Sequence, residues 1–173
     1  MTAMRHALDS FYDSLMTLAA IAMVGCLAVV VLGIADRQLA LGLRGLDAYA
    51  GYSIAAALFL ALPGTLQRGE HIRVTLLLQR VPARWQRLLE GWCLAAGGAL
   101  TLYLAWHACR LVWTSHLTHD VSPSSDATPL WIPQTAMALG CVGLAVAMLD
   151  AGLSRLASVP FEHDAGRQAA HIE

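Results

Sequence analysis

His107 is the only readily ionisable side chain, tyrosines and thiols apart, within the apolar stretches of this chain. An imidazole in such a place can ligate a haem iron, but one histidine supplies one axial position and a bis-histidine haem needs a second on a facing helix. The remaining histidines lie in tails and connections. His116 and His119 are spaced i, i+3 beside Asp120, so a helical turn would gather two imidazoles and a carboxylate, a donor set for a metal. In a polar connection the default state of the same side chains is solvation. Cys26, Cys93, Cys109 and Cys141 sit in or at the edge of apolar stretches with no C-x-x-C or other ligand spacing, and read as small packing residues. No G-x-S-x-G, P-loop, H-E-x-x-H or S-x-x-K pattern gives an enzyme reading a motif, and no cofactor is expected.

The elements that must hold these residues are set by composition. Of 173 residues 57% are hydrophobic and 13% charged, where a soluble domain carries roughly 25% charged. The apolar residues gather in blocks rather than at strand or amphipathic-helix periodicity, and a bilayer needs about 20 of them per helix. Four spans follow, at about 14–35, 48–67, 91–109 and 127–149, within a membrane domain 14–153. The first lacks any charge from Ser14 to Ala35 and exceeds a signal h-region of about 7 to 15 residues, so it reads as a retained anchor. Tyr49, Tyr52, Trp92, Trp113 and Trp131 fall at span ends, where aromatic belts form. Pro63 predicts a kink in the second span. The pairs Gly51/Ala55, Ala95/Ala99 and Ala136/Gly140 have the small-xxx-small spacing of close helix packing. The absence of an internal repeat weighs against a complete transporter built from inverted repeats.

All eleven basic residues are arginine, and the net charge of −1 points away from nucleic acid as a partner. Arg5, the five arginines between the second and third spans, Arg155 and Arg167 lie on one side; Arg37, Arg44 and Arg110 lie on the other. Basic residues stay cytoplasmic, so both the N-terminal tail (1–13) and the C-terminal tail (154–173) are expected in the cytoplasm. The Ser-rich connection around Ser122–Ser125 then faces outward as an irregular loop.

Residues 70–90 are neither span nor ordinary loop. Arg73, Arg80, Arg84 and Arg87 project within about 60° of one another, and Val74, Leu78, Val81, Trp85 and Leu88 centre roughly 100° away. The pattern predicts an amphipathic arm helix, interrupted or kinked at Pro82, lying along the cytoplasmic surface on lipid or against a partner. A helical loop with a solvated charged face is the alternative. The expected fold is therefore all-α integral membrane: four transmembrane helices with an interfacial arm between the second and third.

The stretch Arg68-Gly69-Glu70-His71-Ile72-Arg73-Val74, followed by Val81-Pro82-Ala83-Arg84, resembles the signature after the second span of the small permease subunit of tripartite ATP-independent periplasmic (TRAP) transporters, the DctQ-like family. Ser125 to Pro133 resembles the approach to that family's last span, and the resemblance covers about Leu15 to Leu153. Thr75 stands where the family often has Asp, and Asp47-Ala48 replaces a commonly acidic pair. The resemblance implies a non-catalytic subunit of the bacterial inner membrane. It would scaffold a large permease subunit that carries an organic carboxylate with sodium, delivered by a periplasmic binding protein. It also implies that Arg68, Gly69, Glu70, His71, Arg73, Arg80, Arg84, Trp85 and Arg87 form the arm interface with partner or lipid. Asp36, Arg37, Asp47, Asp120 and Asp126 would be candidates to touch the transient binding protein. A haem-holding redox anchor built on His107 is the competing reading.

Overall fold

Long uncharged runs in a lipid-like sequence satisfy their backbone polar groups within the segment, and this dictates helices. The computed structural model describes residues 2–68, 82–124 and 127–156, and has four of them: α1 (Thr2–Leu39), α2 (Leu46–Gln67), α3 (Ala83–Thr118) and α4 (Trp131–Leu156). Three helices, α1, α2 and α4, are long and apolar enough to cross a membrane. The apolar run of α3 is diluted by Trp92, Tyr103, Trp106 and His107.

The elements overrun the sequence boundaries where no breaker stops them. α1 has 38 residues, about 57 Å of helix, because nothing before Ala40 interrupts it; its first turns take up most of what was read as an N-terminal tail. The chain leaves α1 at Ala40, with φ 51°, and turns through Gly42 and Gly45, whose φ of 73° and 81° favour glycine. α3 begins after Pro82, which fixes φ at −53° and leads into the first turn. It then runs 36 residues without a break, to a left-handed cap at His119. Residues 83–90 of the expected arm are therefore the opening turns of the same helix that contains 91–109. The remainder of the arm, 70–81, lies outside the described residues. α4 starts four residues later than the expected fourth span. Pro133 occupies its first turn, where an absent N–H costs no hydrogen bond.

The helices form a row rather than a closed square: α1 packs on α2, α2 on α4, and α4 on α3. Pro63 is fully buried inside α2, and lacking an N–H it cannot close the helical bond to the Phe59 carbonyl. α4 meets that carbonyl with Gly140, where an added Cβ would collide with the Phe59 backbone. One turn on, Gly143 abuts the Pro63 ring and the Leu15 side chain of α1. Glycines so placed let two backbones approach closely and form Cα–H contacts to a freed oxygen. Of the three small-residue pairs, Ala136/Gly140 is used inside the chain, whereas Gly51/Ala55 and Ala95/Ala99 face outward. Leu15, Ala19 and Leu60 close the core on one side of this contact, and Ala105, Ala108, Ala138, Cys141 and Ala145 on the other.

Gly140→Ala is accordingly expected to destabilise the chain by about 1–3 kcal/mol, the usual cost of overpacking. Gly152→Ala, with open space around it, should stay within about 0.5 kcal/mol. Thermal melting of the detergent-solubilised variants measures both.

Candidate functional site

At the end where α2 begins, the connection between α3 and α4 is folded back and clasped. Val121 and Pro129 form an antiparallel bridge, with the Ser122 N–H donating to the Thr128 carbonyl (2.8 Å) and the Leu130 N–H to the Asp120 carbonyl (3.0 Å). The Tyr52 hydroxyl donates to Ser122 Oγ (2.7 Å), and Tyr49 Oη shares a hydrogen bond with Thr128 Oγ1 (3.0 Å). Ser122 is buried by this closure. The described part of this connection is irregular, as expected, apart from the isolated bridge, and it is tied to α2, since two tyrosines three residues apart on one helix face find hydroxyl partners there.

The outer charged residues are partly engaged within the chain. Asp36 Oδ1 accepts from the Leu43 N–H (2.9 Å) and organises the α1–α2 turn. Arg37 and Asp47 stand 3.5 Å apart as an exposed ion pair, a geometry of small net worth in water. Asp120 accepts from the Ser115 hydroxyl (3.2 Å). Asp126 lies outside the described residues. His116 stacks edge-on against Trp131 with centroids 5.5 Å apart, and its ring is 6.5 Å from that of His119. His107 is exposed, its ring 4.3 Å from that of Tyr103 one turn earlier on α3. Nothing among the described residues supports the haem-anchor reading: no second histidine faces His107 along the spans.

At the opposite end, Arg68 caps α2 with its N–H donating to the Gly64 and Leu66 carbonyls. Gly69, Glu70, His71, Arg73 and Arg80 lie outside the described residues, and Arg84 and Arg87 fall in the first turns of α3. Trp85 is exposed and, with Leu88, Leu89, Trp92 and Ala95, lines a shallow and almost wholly apolar groove along the outer side of α3.

A cluster at this end escaped the sequence reading. Gln67 Nε2 donates to Asp9 Oδ1 (2.9 Å), joining α1 to the end of α2. Beside it Tyr12 is 1% exposed, packed with Leu66 and Ala147, and its hydroxyl has no hydrogen-bond partner. The only signal in the sequence is a polar residue at the margin of each of the two helices, which hydropathy treats as tail. The chain's candidate surfaces are therefore a clasped cap at one end, a polar tie at the other and an apolar outer face on α3, with no converging catalytic side chains among them.

No curated protein and no solved structure matches the chain. A family model described as "Tripartite ATP-independent periplasmic transporters, DctQ component" matches residues 26–158. That match takes in α2, α3 and α4 whole and the last third or so of α1, and by it the chain belongs to the DctQ family, the small membrane component of TRAP transporters.

Proposed function

We propose that the chain is the scaffold that sets the position of the large permease subunit in the bacterial inner membrane, during sodium-coupled uptake of an organic carboxylate handed over by a periplasmic binding protein. The observation that carries this reading is the family membership. What supports it physically is a chain whose described side chains pack and clasp rather than react. In this reading α3 is the third of four spans, entered from the cytoplasm, and the Tyr49–Tyr52 cap faces the periplasm. The cap presents the Arg37–Asp47 pair, Asp36 and Asp120, with Asp126 in the same connection, to the docked binding protein. Residues 70–81 then act as an arm on the cytoplasmic surface, and Arg73 and Arg80 in the arm, with Arg84 and Arg87 in the opening turns of α3, meet phosphates or partner carboxylates at the cytoplasmic border.

Replacing these four arginines together by Glu is expected to abolish uptake or assembly, because four like charges would face an anionic surface worth about 1 kcal/mol of attraction per Arg. Uptake of radiolabelled solute in cells carrying the binding protein and large subunit measures this, and normal uptake refutes the arm assignment. Both termini are expected inside. Reporter fusions at either end should be active as a cytoplasmic fluorophore and silent as a periplasmic phosphatase, and the reverse result would invert the topology. The central test is affinity purification from native membranes in mild detergent, where a stoichiometric large polytopic partner is the expected companion.

A further inference from the structure

The row of helices leaves one face of α3 uncovered, and that face has a pattern of its own. Trp85, Trp92, Trp106 and Trp113 are all exposed, and they fall on a strict seven-residue spacing with Ala99 filling the missing place. At about 100° per residue such a stripe drifts only about 20° per repeat, the geometry of a left-handed seam. The residues that α3 buries, Thr101, Ala105, Ala108 and Ser115, project roughly 180° from it. The seam therefore points directly away from the chain's own core.

Lipid is a poor occupant for this face. Trp92 and Trp113 are separated by about 32 Å of helix, the thickness of the hydrocarbon layer, and tryptophan favours its two borders. Between those borders Tyr103, 63% exposed, falls near the midplane, and Trp106, 70% exposed, about 10 Å inside one border. A phenol and an indole N–H directed at acyl chains have no hydrogen-bond partner. Arg110 lies on the same stripe, exposed, with no carboxylate paired to it among the described residues. The same molecule shows what a lipid face looks like: from Leu18 to Ala35 the exposed side chains of α1, Ile21, Val24, Leu27 and Val31 among them, are all apolar, with no hydroxyl, amide or indole.

We infer that the tryptophan seam of α3, with Tyr103 and Arg110, is the docking face for a transmembrane helix of the large permease subunit, while α1 faces lipid. The partner helix crosses α3 at about +20°, as left-handed pairs do. It places small residues opposite the indoles and comes closest at Ala95 and Ala99. It offers hydrogen-bond acceptors at the depth of Tyr103 and Trp106 and a carboxylate near Arg110. The assignment rests on the scaffold reading for the identity of the partner, but the choice of face rests on α3 alone.

A photoreactive benzoylphenylalanine at position 103 or 106, with position 27 on α1 as control, tests it in native membranes that also contain the large subunit. Covalent adducts with the large subunit are expected from 103 and 106, at least about tenfold above those from 27. Trp106→Leu should lower the large subunit recovered with the tagged chain about tenfold, as loss of a central aromatic anchor does, without changing the melting of the isolated chain. Adducts between two copies of this chain, or only lipid adducts from 103 and 106 while the large subunit still co-purifies, would overturn the seam and leave the scaffold reading intact. Failure of the large subunit to co-purify with the unaltered chain would remove the scaffold reading and the proposed occupant together.

Discussion

The architecture depends on a single backbone contact. Pro63 cannot donate to the Phe59 carbonyl, and α4 presents Gly140 to that oxygen and Gly143 to the proline ring. In water, burial of large side chains would set the helix spacing; between lipid-immersed helices that driving force is weak and close approach must replace it. This explains why the buried residues are mostly Ala, Gly, Cys and Pro, while most Leu, Ile and Val side chains, Leu15, Leu60 and Leu66 apart, point outward. Everything else is hung on the α2–α4 pair: α1 reaches it through Leu15 and Tyr12, and α3 through Ala105 and Ala108.

The two ends of the molecule reinforce this pair by different chemistry. At the cap, hydroxyl groups of Tyr49 and Tyr52 secure the α3–α4 connection; at the other end Gln67 and Asp9 join α2 to α1. Each tie links elements distant in sequence and sits at a helix margin, where polar groups keep access to water and cost little to hold. Between the ends the interior is small and apolar. Such a body holds its shape and offers few reactive groups, in keeping with membership of the DctQ family of transporter components.

Hydropathy alone made α1, α2 and α4 legible, because an uncharged run of about 20 residues has few alternatives to a membrane helix. Boundaries were less so. Thr2–Asp13, Ala83–Glu90 and Arg110–Thr118 are polar enough to read as tail, arm or loop, yet no breaker stops the helix there, and hydrogen-bonded propagation continues past the edge of the apolar block. The sharpest part of the family resemblance lay at 68–84, a stretch largely outside the described residues, with Ser125–Pro133 as a second part, while the fold was read from composition. The seam on α3 was hidden because Trp92 and Trp113 were counted as end markers. Only the direction of the buried face, which needs the packed structure, shows that the side they share with Trp85 and Trp106 points away from the core. Gln67, Asp9 and Tyr12 were illegible for the same reason: their meeting depends on how two helices far apart in the chain lie together.

The placing of α4 between α2 and α3 has a consequence for biogenesis. A ribosome delivers the helices in the order α1, α2, α3, α4, but α2 and α3 scarcely touch each other. Until α4 enters the bilayer, α3 lacks its principal neighbour among the described residues and the notch at Phe59 stays open. It is α4 that joins α3 to the α1–α2 pair and closes the proline notch, so the packing of the earlier helices is completed only by a segment that follows them.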